Sequence, residues 1–172
     1  MTTKRTALLS MLAPLLVLSC GDTLDDPLGG AGSGGSGSGS GGPTFTSIYG
    51  SDEFQECSGC HAPNAPGITE GIEETQNWST RATAYNSLQR NASGLIGNNE
   101  GCNGVPFLGD SAEESLLVAA FDEDVRVAYD NPSFPDCNAD AIADQTLKIG
   151  GPLPASLLAD LKAWVDAGAP NN

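Results

Sequence analysis

The chain has 172 residues, 39% of them hydrophobic, which is enough for one domain plus accessory segments. Its formal net charge of −15 excludes nucleic acid and anionic membrane surfaces as electrostatic partners. The acidity serves either solubility or the docking of a basic protein.

Residues 1–19 carry Lys4 and Arg5 ahead of an apolar run that includes Leu8, Leu9, Leu12, Leu15, Leu16 and Leu18. A basic flank followed by an apolar stretch too short to span a bilayer comfortably reads as a secretory signal. The segment ends Val17-Leu18-Ser19-Cys20, which resembles the lipobox of bacterial lipoproteins. That resemblance implies diacylation of Cys20, which becomes the mature N-terminus, and membrane attachment through this lipid anchor only. Each buried methylene contributes about 0.8 kcal/mol, so two or three acyl chains hold firmly. Gly21 follows Cys20 where an Asp would retain the protein at the inner membrane, and this points to the outer membrane, on its periplasmic or surface face. Loss of Lys4 and Arg5 with the signal leaves five basic and 22 acidic residues, a net charge of −17.

Residues 29–42 are almost entirely Gly and Ser. They have no side chains to bury, so nothing offsets the entropy of ordering them, and they are expected to form a disordered, flexible tether. Residues 20–43 would reach roughly 25–30 Å root-mean-square. The expected organisation is therefore a signal over 1–19, a lipidated cysteine and linker over 20–43, and one folded domain over 44–172.

The folded region carries Cys57-Ser58-Gly59-Cys60-His61 near its start. C-x-x-C-H is the attachment signature of c-type haem. Two intervening residues let one tight turn present both thiols to the two vinyl groups of a porphyrin, and the adjacent histidine comes under the iron. Gly59 is expected to let the backbone approach the macrocycle. Cys57 and Cys60 are thus the candidate thioether residues and His61 the candidate proximal iron ligand. Three other readings stay open: a redox-active C-x-x-C, a zinc site and a structural Cys57–Cys60 disulfide. The first lacks a surrounding strand–helix alternation, and the second lacks another histidine.

Trp78, Ala82, Tyr85, Leu88 and Ala92 recur at helical spacing, with Ser79 as the expected cap. Segments 62–71 and 95–108 read as loops. Ser111 is expected to cap a helix through Leu116, Leu117 and Ala120. Asp122, Glu123 and Asp124, with Asp130 nearby, lack the spacing of a calcium loop and read as a solvated face. Leu157, Leu158, Leu161, Trp164 and Val165 make one stripe of a last helix, with Gly168 as its stop and Pro170 just beyond. The fold class is all-α.

The five cysteines resolve into roles if Cys20 is lipidated and Cys57 and Cys60 hold haem. Cys102 and Cys137 then remain, and in an oxidising compartment they pair with each other.

Around the C-x-x-C-H, an aromatic N-terminal helix over Phe45–Gln55, the stretch Asp110–Val118 within Gly-Asp-Ser-Ala-Glu-Glu-Ser-Leu-Leu-Val, and Gly150–Pro170, from Gly-Gly-Pro-Leu-Pro to the closing Ala-Trp-Val-Asp-Ala-Gly-Ala-Pro, carry a family resemblance. Residues 44–170 resemble the small cytochrome c domains of myxobacterial and planctomycete surface lipoproteins, and more distantly class I cytochrome c. The resemblance implies a small helical domain wrapped around one covalent haem c. It also implies that the last helix crosses the first, setting Trp164 near Ile48 or Tyr49. The family's distal iron ligand is a methionine, and the matching position here is Ile149. The methionines are Met1 and Met11, both within the signal, so neither His/Met nor bis-His ligation is available to the mature chain. Lys148 is a candidate distal ligand; water, an exogenous ligand or a five-coordinate iron are the alternatives.

The expected function is electron transfer by a tethered single-haem cytochrome serving a redox partner protein. A haem-based ligand sensor and a haem-free structural lipoprotein with a degenerate motif are the competing readings. No catalytic carboxylate pair, Ser/His/Asp set or phosphate loop is recognisable, and the sole histidine is committed, so the chain reads as a non-enzyme.

Overall fold

A computed structural model of the protein describes residues 41–65, 76–92 and 100–172. The signal, Cys20 and nearly all of the tether lie outside the described residues, as do parts of the two expected loops. Among the described residues the domain is small and mostly helical, with no strand and one isolated antiparallel bridge, Asn91 to Pro106. None of its helices is long and apolar enough to cross a membrane.

The expected first helix is two helices, α1 (Phe45–Tyr49) and α2 (Asp52–Glu56). Gly50 favours the break entropically, and Ser51 then caps the second piece. Thr44 starts α1 with a capping box: its hydroxyl accepts from the Ser47 amide at 3.0 Å, and its own amide donates to the Ser47 hydroxyl at 3.2 Å. The chain's last residue supplies two more acceptors to this end. The Phe45 amide donates to Asn172 Oδ1 at 2.9 Å and the Thr46 amide to the Asn172 carbonyl at 3.0 Å.

Helix α3 spans Arg81–Leu88, shorter than the apolar spacing predicted. Thr80 caps it, in a capping box with Thr83, whereas Ser79 hydrogen-bonds to the Asn77 side chain. Trp78 and Ala92 lie outside the helix, Ala82 is exposed, and the buried face is Ala84, Ser87 and Leu88.

Helix α4 (Leu116–Phe121) also starts later than expected. Residues 111–115 form tight turns, and Ser115, not Ser111, takes the N-cap position. The Ser115 hydroxyl is fully buried and donates to the Phe107 carbonyl at 2.9 Å, tying α4 to the segment beneath it. Gly109 makes the turn possible, because a Cβ there would collide with the Glu114 backbone.

Helix α5 (Glu123–Ala128) follows directly. Glu123, Asp124 and Asp130 are exposed, as expected of a solvated acidic face, but Asp122, the cap of α5, is not: it is buried, accepts from the Asp124 amide at 2.9 Å and the Val125 amide at 3.3 Å, and pairs with Lys162. Among the described residues no group of three or more His, Cys, Asp or Glu is placed to hold a metal ion.

Helix α6 (Ala155–Asp166) buries Leu161, Trp164 and Val165, as its stripe predicts. It ends in a Schellman motif: Gly168 adopts φ +84°, its amide donates to Val165 O at 2.8 Å, and the Ala169 amide reaches Trp164 O at 2.9 Å.

Aromatic rings hold these short helices together. Helix α6 does pack on α1, but the rings beside Trp164 are Phe45, stacked at 5.1 Å, and Tyr85, edge-on at 6.5 Å, rather than Tyr49. Tyr85 of α3 meets Phe45 edge-on at 5.4 Å and donates to the Ala169 carbonyl at 2.9 Å. A second set joins Phe54, Trp78 and Phe121, with centroids 5.6 Å and 5.3 Å from Phe54. The Cys102–Cys137 disulfide is formed, bridging a separation of 35 residues. Gly101 lets the two strands of chain meet there, since a Cβ would strike the Asp136 carbonyl.

Candidate functional site

The C-x-x-C-H segment begins where α2 ends. Cys57 caps that helix, and residues Cys57–Gly59 tighten into a 3₁₀ turn. The Cys57 carbonyl accepts from two amides, Cys60 at 3.2 Å and His61 at 2.8 Å, which winds the motif into one compact turn. The turn is then fastened to the segment before α3. The Trp78 amide donates to the His61 carbonyl at 2.6 Å, and Tyr49 Oη donates to the Trp78 carbonyl at 3.1 Å.

Cys57 and His61 line one apolar cleft, with about 740 Å³ of empty space including the part open to solvent. Its other walls come from Trp78, Leu88, Phe107 and α4 side chains Leu116, Leu117 and Phe121, together with Ile142. No charged side chain lines it. Cys60 is half-buried at the end of the turn and is not part of the lining. Gly59 is exposed, with open space where a Cβ would stand, so within the protein itself no close approach demands glycine there.

The electrostatics of the two lining motif residues follow from burial. Desolvation pushes the Cys57 thiol up to about 12, with the neighbouring Glu56 adding to the rise. A thiol so weakly acidic makes a poor redox nucleophile, which argues against a thioredoxin-like role. No disulfide joins Cys57 to Cys60. Burial also lowers the His61 pKa from its ordinary 6.5, with the Gln76 backbone carbonyl pulling the other way. The imidazole is therefore neutral at physiological pH, the form that ligates metals. His61 Nδ1 is buried and has no hydrogen-bond partner among the described residues. Leaving such an atom unpaired costs about 1–3 kcal/mol, a penalty that a bound group can remove.

This donor set fits a covalent haem better than a zinc ion. One thiol and one neutral imidazole face an apolar cleft, and no cluster of three metal-binding side chains accompanies them among the described residues. The residues in place to hold the group are Cys57, His61 and, from the end of the same turn, Cys60.

Lys148 is not brought to this site. It is exposed and outside the cleft lining, and Ile149 packs half-buried against the core, also outside the lining. Both follow a turn in which the Lys148 and Ile149 amides donate to the Gln145 carbonyl, and it is Gln145 that reaches the cleft. The sequence reading missed Gln145 and also Gln76. Gln76 is buried; its amide donates to Ser87 O at 3.3 Å and accepts from the Trp78 indole at 3.2 Å, bracing the cleft wall. Neither glutamine belongs to a motif, and only the folded chain brings them to the cysteine–histidine turn. Comparison with protein-family models, curated proteins and solved structures finds no match.

Proposed function

We propose that this domain holds one haem c, joined by thioethers to Cys57 and Cys60 with His61 as the protein's iron ligand, and that it acts as a tethered electron carrier. The observation that carries the reading is the compact C-x-x-C-H turn delivering Cys57 and a neutral imidazole with an unpaired buried nitrogen to an uncharged apolar cleft. Bound haem supplies a one-electron ferric/ferrous couple. The chain's residues bind and orient it: Trp78 and Tyr49 fix the turn, the Gln76 carbonyl lies beside the imidazole, and the leucine and phenylalanine walls exclude water.

On this reading the helical domain wraps a single haem in the manner of small cytochrome c domains. It is exported and anchored through Cys20, most naturally at the outer membrane, with the Gly/Ser tether allowing reach. The redox partner is a protein, and the net charge of −17 after signal removal suits a basic docking face. The role is that of a carrier, not an enzyme.

The test is a pyridine haemochrome spectrum of protein matured with a c-type assembly system. Haem should survive denaturation and acid–organic extraction, and Cys57→Ala with Cys60→Ala should abolish this. Haem lost on extraction from the wild type overturns the reading.

A further inference from the structure

The side chains able to ligate iron strongly can be followed one by one. His61 is the single histidine, and Met1, Met11 and Lys4 fall in the 1–19 segment. Lys162 pairs with Asp122, and Lys148 is exposed outside the cleft. Cys102 and Cys137 bond to each other. The Tyr49 and Tyr85 hydroxyls donate to backbone carbonyls, and Tyr129 lines a separate cavity with Asp110, Glu114 and Asp130. Segments 66–75 and 93–99 contain no His, Met, Lys, Cys or Tyr.

The cleft itself offers two polar side chains besides the motif, Gln76 and Gln145. Gln76 is committed to Ser87 and Trp78. Gln145 is held in place by its backbone, its amide donating to Ala120 O at 2.9 Å, and the residue lines the cleft. With no charge in the lining, the protein adds nothing to the iron's own charge in compensating the lost hydration of an anion that enters the cleft.

We infer that the chain supplies no strong second axial ligand, and that the cleft binds a small neutral diatomic molecule of the carbon monoxide, nitric oxide and dioxygen class, with the Gln145 side-chain amide as its hydrogen-bond partner. This rests on the haem assignment above and names the ligand chemistry of the same site.

The experiment uses the exported, haem-loaded protein, from which the 1–19 segment has been removed, with carbon monoxide as probe. The ferrous protein should be high-spin and take up carbon monoxide, and Gln145→Leu should raise the C–O stretching frequency by removing the donor. Gln145→Met should gain a sulfur–iron charge-transfer band, whereas Ile149→Met and Lys148→Ala should leave the spectrum unchanged. A protein without covalent haem would remove the parent reading and this one together. Covalent haem that is low-spin and refuses carbon monoxide overturns this inference while leaving the haem assignment intact. A charge-transfer band in Ile149→Met but not in Gln145→Met, or an unchanged stretch in Gln145→Leu, overturns the role of Gln145. Tight azide binding by the ferric protein overturns the restriction to neutral ligands.

Discussion

Replacing Asp122 tests whether one buried carboxylate joins three helices. It follows α4, caps α5 through two backbone amides, and pairs with Lys162 on α6. Burial pushes its carboxyl pKa up, but the Lys162 ammonium and the Val125 and Asp124 amides outweigh this and hold it below the ordinary 3.8. Asp122→Asn keeps a good cap and removes the charge, whereas Asp122→Ala removes both. The Lys162 side chain is 36% exposed and can rehydrate, so the pair falls short of the full cost of breaking a buried one. Expected losses at pH 7 are about 1–2 kcal/mol for Asn and about 3 kcal/mol for Ala. Thermal unfolding followed by far-UV circular dichroism should show Tm falling by about 5 °C and about 10 °C respectively. The sign of the pH dependence is set by the depressed pKa. The carboxylate's contribution is fully present above the ordinary value and is lost as pH falls through the folded one. The gap between wild type and Asp122→Asn should therefore close in acid. An Asn variant as stable as wild type at pH 7, or a gap undiminished well below pH 3.8, would refute the reasoning.

Three further outcomes are expected. Cys20→Ser should move the protein from the membrane fraction to the soluble fraction; unchanged membrane association would reveal a different anchor. Joint replacement of Cys102 and Cys137 by Ser should cost about 2–4 kcal/mol in denaturant unfolding, the closure of a loop of this length, and free thiols at both positions in exported protein would contradict the pairing. Trp164→Ala should cost about 3–5 kcal/mol because the ring is fully buried against Phe45. Trp164→Phe should lose only about 1–2 kcal/mol, mainly the indole bond to the Pro170 carbonyl, and equal losses for the two would show that stacking contributes little.

The sequence by itself determined the features that are local. Five apolar positions at helical spacing marked the inward face of α6, with Leu161, Trp164 and Val165 buried and Leu157 and Leu158 half-buried, and Gly168 ended it because the Schellman turn requires positive φ. Cysteine accounting paired Cys102 with Cys137 by assigning the other three to expected lipid and haem attachment, and the C-x-x-C-H spacing made a tight turn the natural conformation. Helix starts were less legible. Two hydroxyl residues stand ahead of each of α3 and α4, and Thr80 and Ser115 took the cap positions where Ser79 and Ser111 were equally plausible by type. Gly50 split the first helix because Ser51 stood ready to begin another. Asp122 read as solvated because a charge run carries no sign of a lysine forty residues away. What only tertiary structure decided is which residues share the cleft with His61. Gln76, Gln145 and the α4 leucines come from three separate stretches of chain, and no periodicity links them. The same packing left Lys148 in solvent: with its carbonyl turned to the following amides, Gln145 meets the cleft and the chain leaves it before the lysine arrives.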